Sequence, residues 1–497
     1  MNSLYFPMKS NDRKAKRSGM AAMLLTMVVT ATLFAGVVVP AQAQTFNVLY
    51  TFQGPNNNEG AYPQGLVQGT DGNLYGVTEA GGDNGGDDDA GTFFKISTSG
   101  NLKALCAFYF GTCAGTQAPS ASLILGANGD FYGVDLVGAN IRLTPTGKLK
   151  ILYNSSGNDI SVAPLVLASN GDFYGVNKLG GVNVNCGGDT TCGSVFKMTA
   201  AGKLTTLYSF CSDYQSGVCL DGQNPQFALV QGSDGNLYGT TYAGGNDGVN
   251  GGYGTIFKIT ETGTLTTIYN FPGYTPPSSA LILGPDGNFY GTTGAGGSGT
   301  YGPGGTFFTV TPGGALTTLY NFCSLLNCAD GSQPSNIFLA TDGNFYGIAW
   351  DGGANQQGTI FQITPSGTLT TLHNFDGTDG SGPNGGGTVM QDTNGTFYGT
   401  MQESLGGGIG TIFSLDMGLG PFVETLPTSG KAKKAVKILG TDLTGATSVT
   451  FNGTEATFKV ASSSEITTNV PVGATTGVVK VVTPNGTLTS NAVFQVP

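Results

Sequence analysis

The sequence predicts an all-β chain, a seven-bladed β-propeller closed by an N-terminal strand and followed by a small β-sandwich. Three observations carry this. A six-residue motif, Asp286-Gly-Asn-Phe-Tyr-Gly291, recurs seven times, at 71–76, 128–133, 170–175, 234–239, 286–291, 342–347 and 394–399. Each copy sits in a unit that reads as short strands and tight turns, and such a period marks a repeat architecture. The strand missing from the seventh unit stands at the opposite end of the chain.

The unit from Pro225 to Phe271 shows the pattern. Phe227–Gln231 reads as strand A, Leu237–Thr241 as strand B, Gly254–Ile259 as strand C and Leu265–Phe271 as strand D. Ser233-Asp-Gly-Asn236 joins A to B and Glu261-Thr-Gly263 joins C to D, both of them hairpin signals. Four antiparallel strands make one propeller blade. Unit seven ends after its strand C at Leu415, whereas Phe46–Phe52 matches the strand D pattern. An N-terminal strand that completes the last blade removes the free sheet edges. The seven motif tyrosines read as packing residues, because both faces of a blade are covered; a ligand-stacking ladder is the alternative. The glycine after each of them would let neighbouring backbone approach.

Ahead of this region, Lys9, Arg13, Lys14, Lys16 and Arg17 precede an apolar run from Met20 to Val39 and the small-residue box Ala41-Gln-Ala43. That order is a secretory signal peptide over residues 1–43, with an uncleaved anchor helix as the rival reading. The domains expected are therefore 1–43 (signal peptide), 44–420 (propeller) and 421–497 (sandwich). Eight cysteines fall in close pairs, Cys106/Cys113, Cys186/Cys192, Cys211/Cys219 and Cys323/Cys328. An even count behind a signal peptide implies disulfides formed in an oxidising compartment. A metal site is the alternative, but the chain has no CxxC and one histidine, His373. Residues 44–420 hold nine basic against 26 acidic side chains, and no Lys or Arg lies between Lys258 and Lys431. Such a surface repels phosphate, which excludes nucleic acid as a partner.

The A–B and C–D connections are short and uniform, whereas the B–C and D–A connections vary and carry every cysteine pair. Variable loops on a rigid scaffold are where binding concentrates. Residues just after strand B should ring the mouth on that side: Glu79, Asp135, Tyr242, Trp350, Asp351 and Glu403 are the candidate ligand-binding positions. Asp351, Glu403, Glu79 and Asp135 would form an acidic arc, able to hold Ca²⁺ through oxygen ligands or to act as paired carboxylates on a sugar. Solvated acids are the plainer reading. Trp350, the sole tryptophan, is a candidate carbohydrate platform. No G-x-S-x-G, HExxH or P-loop occurs, and His373 occupies the tyrosine slot of a D strand, away from the mouth. No catalytic residue is assigned.

After Pro421 the glycine motifs stop and lysine returns. Ala435–Thr441, Thr447–Gly453, Ala456–Val460, Glu465–Pro471 and Gly477–Thr483 alternate as strands of the sandwich.

Two resemblances rest on these residues. Units of the form DGNxYG…GGxxxGTxF…GxLTTLYxF resemble the GloVer tandem repeat of choice-of-anchor bacterial surface proteins over residues 46–417. Unit two departs from the pattern, with Asn140–Thr144 in place of GTxF. Residues 421–497 resemble an IPT/TIG domain, through Pro427-Thr-Ser-Gly430, Ile438-Leu-Gly-Thr441, Val449-Thr-Phe-Asn-Gly453 and Val470-Pro-Val-Gly473. The first resemblance implies an extracytoplasmic place but no activity. The second implies an immunoglobulin-like β-sandwich acting as a spacer or adhesion module.

The functional expectation is a non-catalytic propeller in the cell envelope of a bacterium, or secreted from it into the periplasm or outside. It would bind a protein or polysaccharide through the variable face, with no required cofactor, Ca²⁺ being the metal ion the arc could take. No membrane span is expected once the signal is cleaved. The alternative is an extracellular carbohydrate-active enzyme or lyase using carboxylates at the mouth.

Overall fold

The computed structural model describes residues 44–497 except 55–57, 83–90, 110–111, 118, 120, 136, 156–158, 184–185, 187–190, 247–251, 382–386, 403–408 and 497. The expected signal peptide and Glu403 lie outside the described residues. Each motif copy belongs to its own sheet of four antiparallel strands, in a propeller-like repetition; the sheet of unit one has a fifth short strand, Cys113–Ala114, paired in parallel to Leu102–Tyr109. Unit four is Val230–Gln231, Leu237–Thr241, Thr255–Ile259 and Leu265–Asn270, paired in chain order. Its strand A is shorter than the sequence predicts: residues 227–229 lie outside the ladder, and Phe227 lines a cavity. Unit seven contributes Thr388–Gln391, Phe397–Met401 and Thr411–Asp416. Its fourth strand is the N-terminal Thr45–Thr51, in antiparallel register from Thr45 opposite Asp416 to Thr51 opposite Thr411.

The motif builds the sheet from its turn upward. Tyr238 Oη donates to Asp234 Oδ2 at 2.9 Å, and the Asn236 backbone N–H and side-chain amide donate to the same carboxylate. Asp71 and Asp286 hold Tyr75 and Tyr290 in the same way. Where Asn replaces Asp, the amide donates to the hydroxyl instead, as from Asn170 to Tyr174 at 2.8 Å. Burial alone would raise the acids of Asp71, Asp234 and Asp286, but the amide and hydroxyl donors outweigh it and hold them below the usual carboxylate value. The seven tyrosines are buried, none above 4% exposure, and are packing residues. Each ring meets the next unit. Tyr75 packs on Phe131, Tyr132 on Phe173, Tyr238 on Phe289, Tyr290 on Phe345 and Tyr346 on Phe397, with centroids 4.2–4.5 Å apart. Tyr174 shares a cluster with Leu237, and Tyr398 with Leu74 of unit one.

The glycine after the tyrosine makes room for a side chain as well as for the backbone expected there: a Cβ on Gly399 would lie 2.4 Å from Thr388 O. A Cβ on Gly239 would lie 2.6 Å from the Phe257 ring of strand C, directly opposite in the ladder. Unit two has no phenylalanine there, and Leu123 fills the space over Gly133 instead.

A bulge in strand D was not anticipated. Tyr208 pairs with Val195 and Thr206 with Phe196, so Leu207 has no opposite residue; Ile268, Leu319 and Leu372 are skipped likewise. The carbonyls of Leu207, Ile268 and Leu319 point at the glycine of the next unit's C–D turn, whereas Leu372 O accepts from the Gln44 side chain. A Cβ on Gly263 would sit 2.5 Å from Leu207 O, and Gly263 has φ +97°. Glycine meets both the left-handed backbone and the contact. Gly263→Ala should therefore cost about 1–3 kcal/mol, read as a lower denaturant midpoint at unchanged slope; an unchanged midpoint would remove the contact from the account.

The C-terminal module packs two four-stranded sheets over Val436, Ile438, Val449, Phe451, Ile466, Val479 and Val481. Glu424–Leu426 and Gly486–Thr489 are strands beyond those expected. This module does not stand clear of the repeats as a spacer would. It sits on their A–B turns: Ser464 Oγ donates to Thr70 O at 2.8 Å, Ser429 Oγ to Ser169 O at 3.1 Å, and Phe422 N to Thr393 O at 3.0 Å. Leu426 and Leu439 join the core of units one and two.

Two acids lie at this junction. Asp392 is 2% exposed, and burial pushes its carboxyl up to about 7; backbone N–H donors offset part of this and the nearby charge of Glu424 adds to it. Burial also raises Glu424, which accepts from Asn491 Nδ2 at 2.9 Å. A raised acid stabilises the fold fully below its unfolded value near 3.8, and that contribution is lost as pH rises to about 7. The low-lying turn acids act with the opposite sign. Comparing the protein with Asp392→Asn isolates the junction: the wild-type melting temperature should fall relative to the variant between pH 4 and 8. Parallel curves would contradict this.

Candidate functional site

The D–A connections are held by a recurrent clasp. Tyr208 Oη donates to Asp221 Oδ2 and Tyr320 Oη to Asp330 Oδ2, each at 2.7 Å, and Tyr50 donates to Glu59. His373 takes the tyrosine place, 2.7 Å from Asp379 Oδ2 and stacked on Phe46 at 3.7 Å. The sequence placed His373 in this slot; the acid that answers it was not foreseen. Asp330 is fully buried and also accepts from Ser324 N and Leu325 N, which shapes the loop that Cys323–Cys328 closes. The other three expected disulfides, Cys106–Cys113, Cys186–Cys192 and Cys211–Cys219, are formed as well.

This loop walls a cavity of about 1030 Å³ on the variable side, between units four, five and six. Tyr242 follows strand B of unit four, Tyr274 lies in the connection to unit five, and Tyr301 lies in the B–C loop of unit five. They are 40%, 65% and 53% exposed. Tyr253 meets Tyr274 edge-on at 5.6 Å, and Tyr301 N donates to Cys323 O at 3.0 Å, so the disulfide loop carries the Tyr301 loop with it. Trp350 closes the wall from unit six, with the amides of Gln226, Gln333 and Asn336. The Trp350 Nε1–H is enclosed and has no hydrogen-bond partner among the described residues. Leaving such a donor unanswered costs about 1–3 kcal/mol. No Asp, Glu, Lys, Arg or His lines the cavity among the described residues. Its aromatic walls and few amides suit binding of an uncharged group.

The positions expected at the mouth separate. Tyr242 and Trp350 come together in this cavity. Glu79 is exposed and accepts from Gln64 Nε2 at 3.1 Å. Asp351 is half-buried at the end of strand B of unit six and accepts from Gly352 N at 2.7 Å. Asp135 is fully buried: Thr116 donates to one oxygen, and Val137 N and Ala139 N to the other. Burial raises its pKa, with those donors offsetting. Three metal-ligating side chains converge only at Cys192, Cys211 and Cys219 among the described residues, and all three are in disulfides. Tyr274 and Tyr301 were missed by the sequence reading. Their signal was a tyrosine among Gly and Pro inside a variable connection, Gly273-Tyr-Thr-Pro-Pro277 and Thr300-Tyr-Gly-Pro303.

With this geometry described, comparison with known families gives two assignments. The profile of the Gloeobacter/Verrucomicrobia repeat matches residues 137–302 and 276–453, and together these span more than half of the chain. The chain belongs to the Gloeobacter/Verrucomicrobia repeat family. An IPT/TIG domain matches residues 422–496, so the sandwich is immunoglobulin-like. Curated proteins give no match. Among solved structures, a streptogramin B lyase is 17% identical over 75% of this chain and 97% of its own, with a TM-score of 0.46. An extracellular domain assigned to a hybrid two-component system of B. thetaiotaomicron is 11% identical over 90% of this chain and 56% of its own, with a TM-score of 0.48. Neither likeness bears on function. Within this repeat family member, no helix among the described residues is long and apolar enough to cross a membrane.

The clasp makes a direct prediction. His373→Tyr should keep the fold at wild-type stability, since a hydroxyl takes over the bond to Asp379, whereas His373→Ala should cost about 1–3 kcal/mol. Chemical denaturation of the two variants measures both, and equal loss in both would refute the equivalence of the slots.

Proposed function

We propose that this protein is a secreted, non-catalytic scaffold that binds a glycan or protein through its variable, disulfide-stapled face. The sheets would form a closed seven-bladed propeller over residues 44–420, the N-terminal strand completing the last blade. The IPT/TIG module over 421–497 would cap the opposite face, and residues 1–43 would direct export into an oxidising compartment, in keeping with four disulfides.

One observation carries the reading: the aromatic cavity opens on the variable side while the A–B turns of units one, three and seven are occupied by the C-terminal module. Loops already stiffened by disulfides and buried carboxylates lose less entropy on binding. The carbohydrate-active alternative needs carboxylates near the ligand, and the described members of the acidic arc lie outside the cavity lining. No cofactor is required by this reading, and Ca²⁺ dependence is not expected of a cavity without carboxylates.

Arrays of glycans and envelope proteins, probed with residues 44–497 with and without EDTA, test it. Binding should resist EDTA and should weaken more than tenfold when Cys323 and Cys328 are both replaced by Ser, with the melting temperature little changed. Binding that is indifferent to this pair would move the site off the variable face.

A further inference from the structure

The cavity between units four, five and six also constrains the chemistry of what it holds. We propose that it binds a neutral polysaccharide chain, an inference that rests on reading the variable face as the binding face. Charge gives the first argument. The cavity lining has no formally charged side chain among the described residues, and no Lys or Arg occurs from residue 259 to residue 430. A chain with a net charge of −11 and no cation in units five to seven repels uronates, sulfates and phosphates. An ammonium-bearing ligand would find no carboxylate in the wall.

Shape and hydrogen bonding give the second. Tyr242, Tyr274 and Tyr301 are partly exposed and line the cavity from three separate connections, and aromatic rings suit the apolar C–H faces of successive sugar rings. The volume is at the upper end of small-molecule sites and has room for more than one ring. The carboxamides of Gln226 and Gln333 donate and accept, as sugar hydroxyls do. Asn336 donates one amide N–H to Gly387 O at 2.6 Å, which leaves its second N–H as a donor and its oxygen as an acceptor. A proline-rich peptide also docks on aromatic grooves. Its carbonyls only accept, so it would leave the carboxamide oxygens unanswered.

Trp350 is the only tryptophan in the chain, so its fluorescence reports on this cavity alone. The purified protein is titrated with neutral hexaoses of gluco, xylo, manno and galacto configuration, with polygalacturonate and with decaproline, each with and without EDTA. At least one neutral hexaose should shift Trp350 emission saturably and without regard to EDTA. Tyr274→Ala and Tyr301→Ala, both at exposed positions that leave folding intact, should each weaken that binding at least tenfold. A response to polygalacturonate or decaproline alone, lost in the tyrosine variants, would overturn the neutral-glycan inference while leaving the variable-face reading standing. Silence from all probes overturns the inference. A hexaose response that both tyrosine variants retain in full overturns the site.

Discussion

Everything else in this chain depends on the motif tyrosine. Its hydroxyl closes the A–B turn of its own sheet, on an Asp carboxylate or from an Asn amide, and its ring packs on the B strand of the following unit. One residue thus couples turn formation to inter-unit packing. Aromatic pairs of this kind contribute about 0.5–1.5 kcal/mol beyond the area they bury, and the arrangement recurs around the chain. The bulged strand D adds a second inter-unit contact, its freed carbonyl set against the glycine of the next C–D turn. Neighbouring sheets are therefore held at two places, near the strand B ring and at the turn. In a repeat architecture, stability is the sum of such nearest-neighbour interfaces.

This division of labour explains why the two sides of the molecule differ. Turns that must clamp a tyrosine and receive a carbonyl have no freedom to vary, and they meet the C-terminal module through Ser and Thr hydroxyls and backbone groups. The opposite connections have only to return the chain. They carry the insertions, the cysteines and the exposed tyrosines, and they are stiffened afterwards by disulfides and buried acids such as Asp330. Loops free to vary yet held rigid are the usual substrate for recognition.

The fold was largely legible because its signals are local and repeated. A turn dipeptide followed by an aromatic and a glycine reports a hairpin wherever it occurs, cysteines a few residues apart can only staple their own loop, and a strand D pattern at residue 46 has one open partner. The bulge was not legible, since skipping Leu207 or Ile268 leaves the alternation of the surrounding residues unchanged in sequence. Nor was the docking of the sandwich, made from hydroxyls that look like any surface serine and from two leucines, Leu426 and Leu439, that read as ordinary sandwich core. At the site, spacing from strand B brought out Tyr242 and Trp350. The same rule treated Asp135 alike, although its loop folds back so that Val137 and Ala139 N–H groups enclose the carboxylate. Tyr274 and Tyr301 enter from connections whose direction depends on the neighbouring unit, and one sequence window does not contain that information.

The cavity is in this sense a product of the interfaces rather than of any one repeat. Its walls come from units four, five and six, and no single unit could hold three tyrosines and a tryptophan at one opening. Tyr238 on Phe289 fixes unit four against unit five, and Tyr290 on Phe345 fixes unit five against unit six. The disulfide loop ahead of unit six then carries Tyr301 through its Cys323 carbonyl. A loosened inter-unit ring would move the aromatic walls relative to one another before it unfolded any sheet. The packing that stabilises the repeat is thereby the same packing that sets the geometry of the cavity.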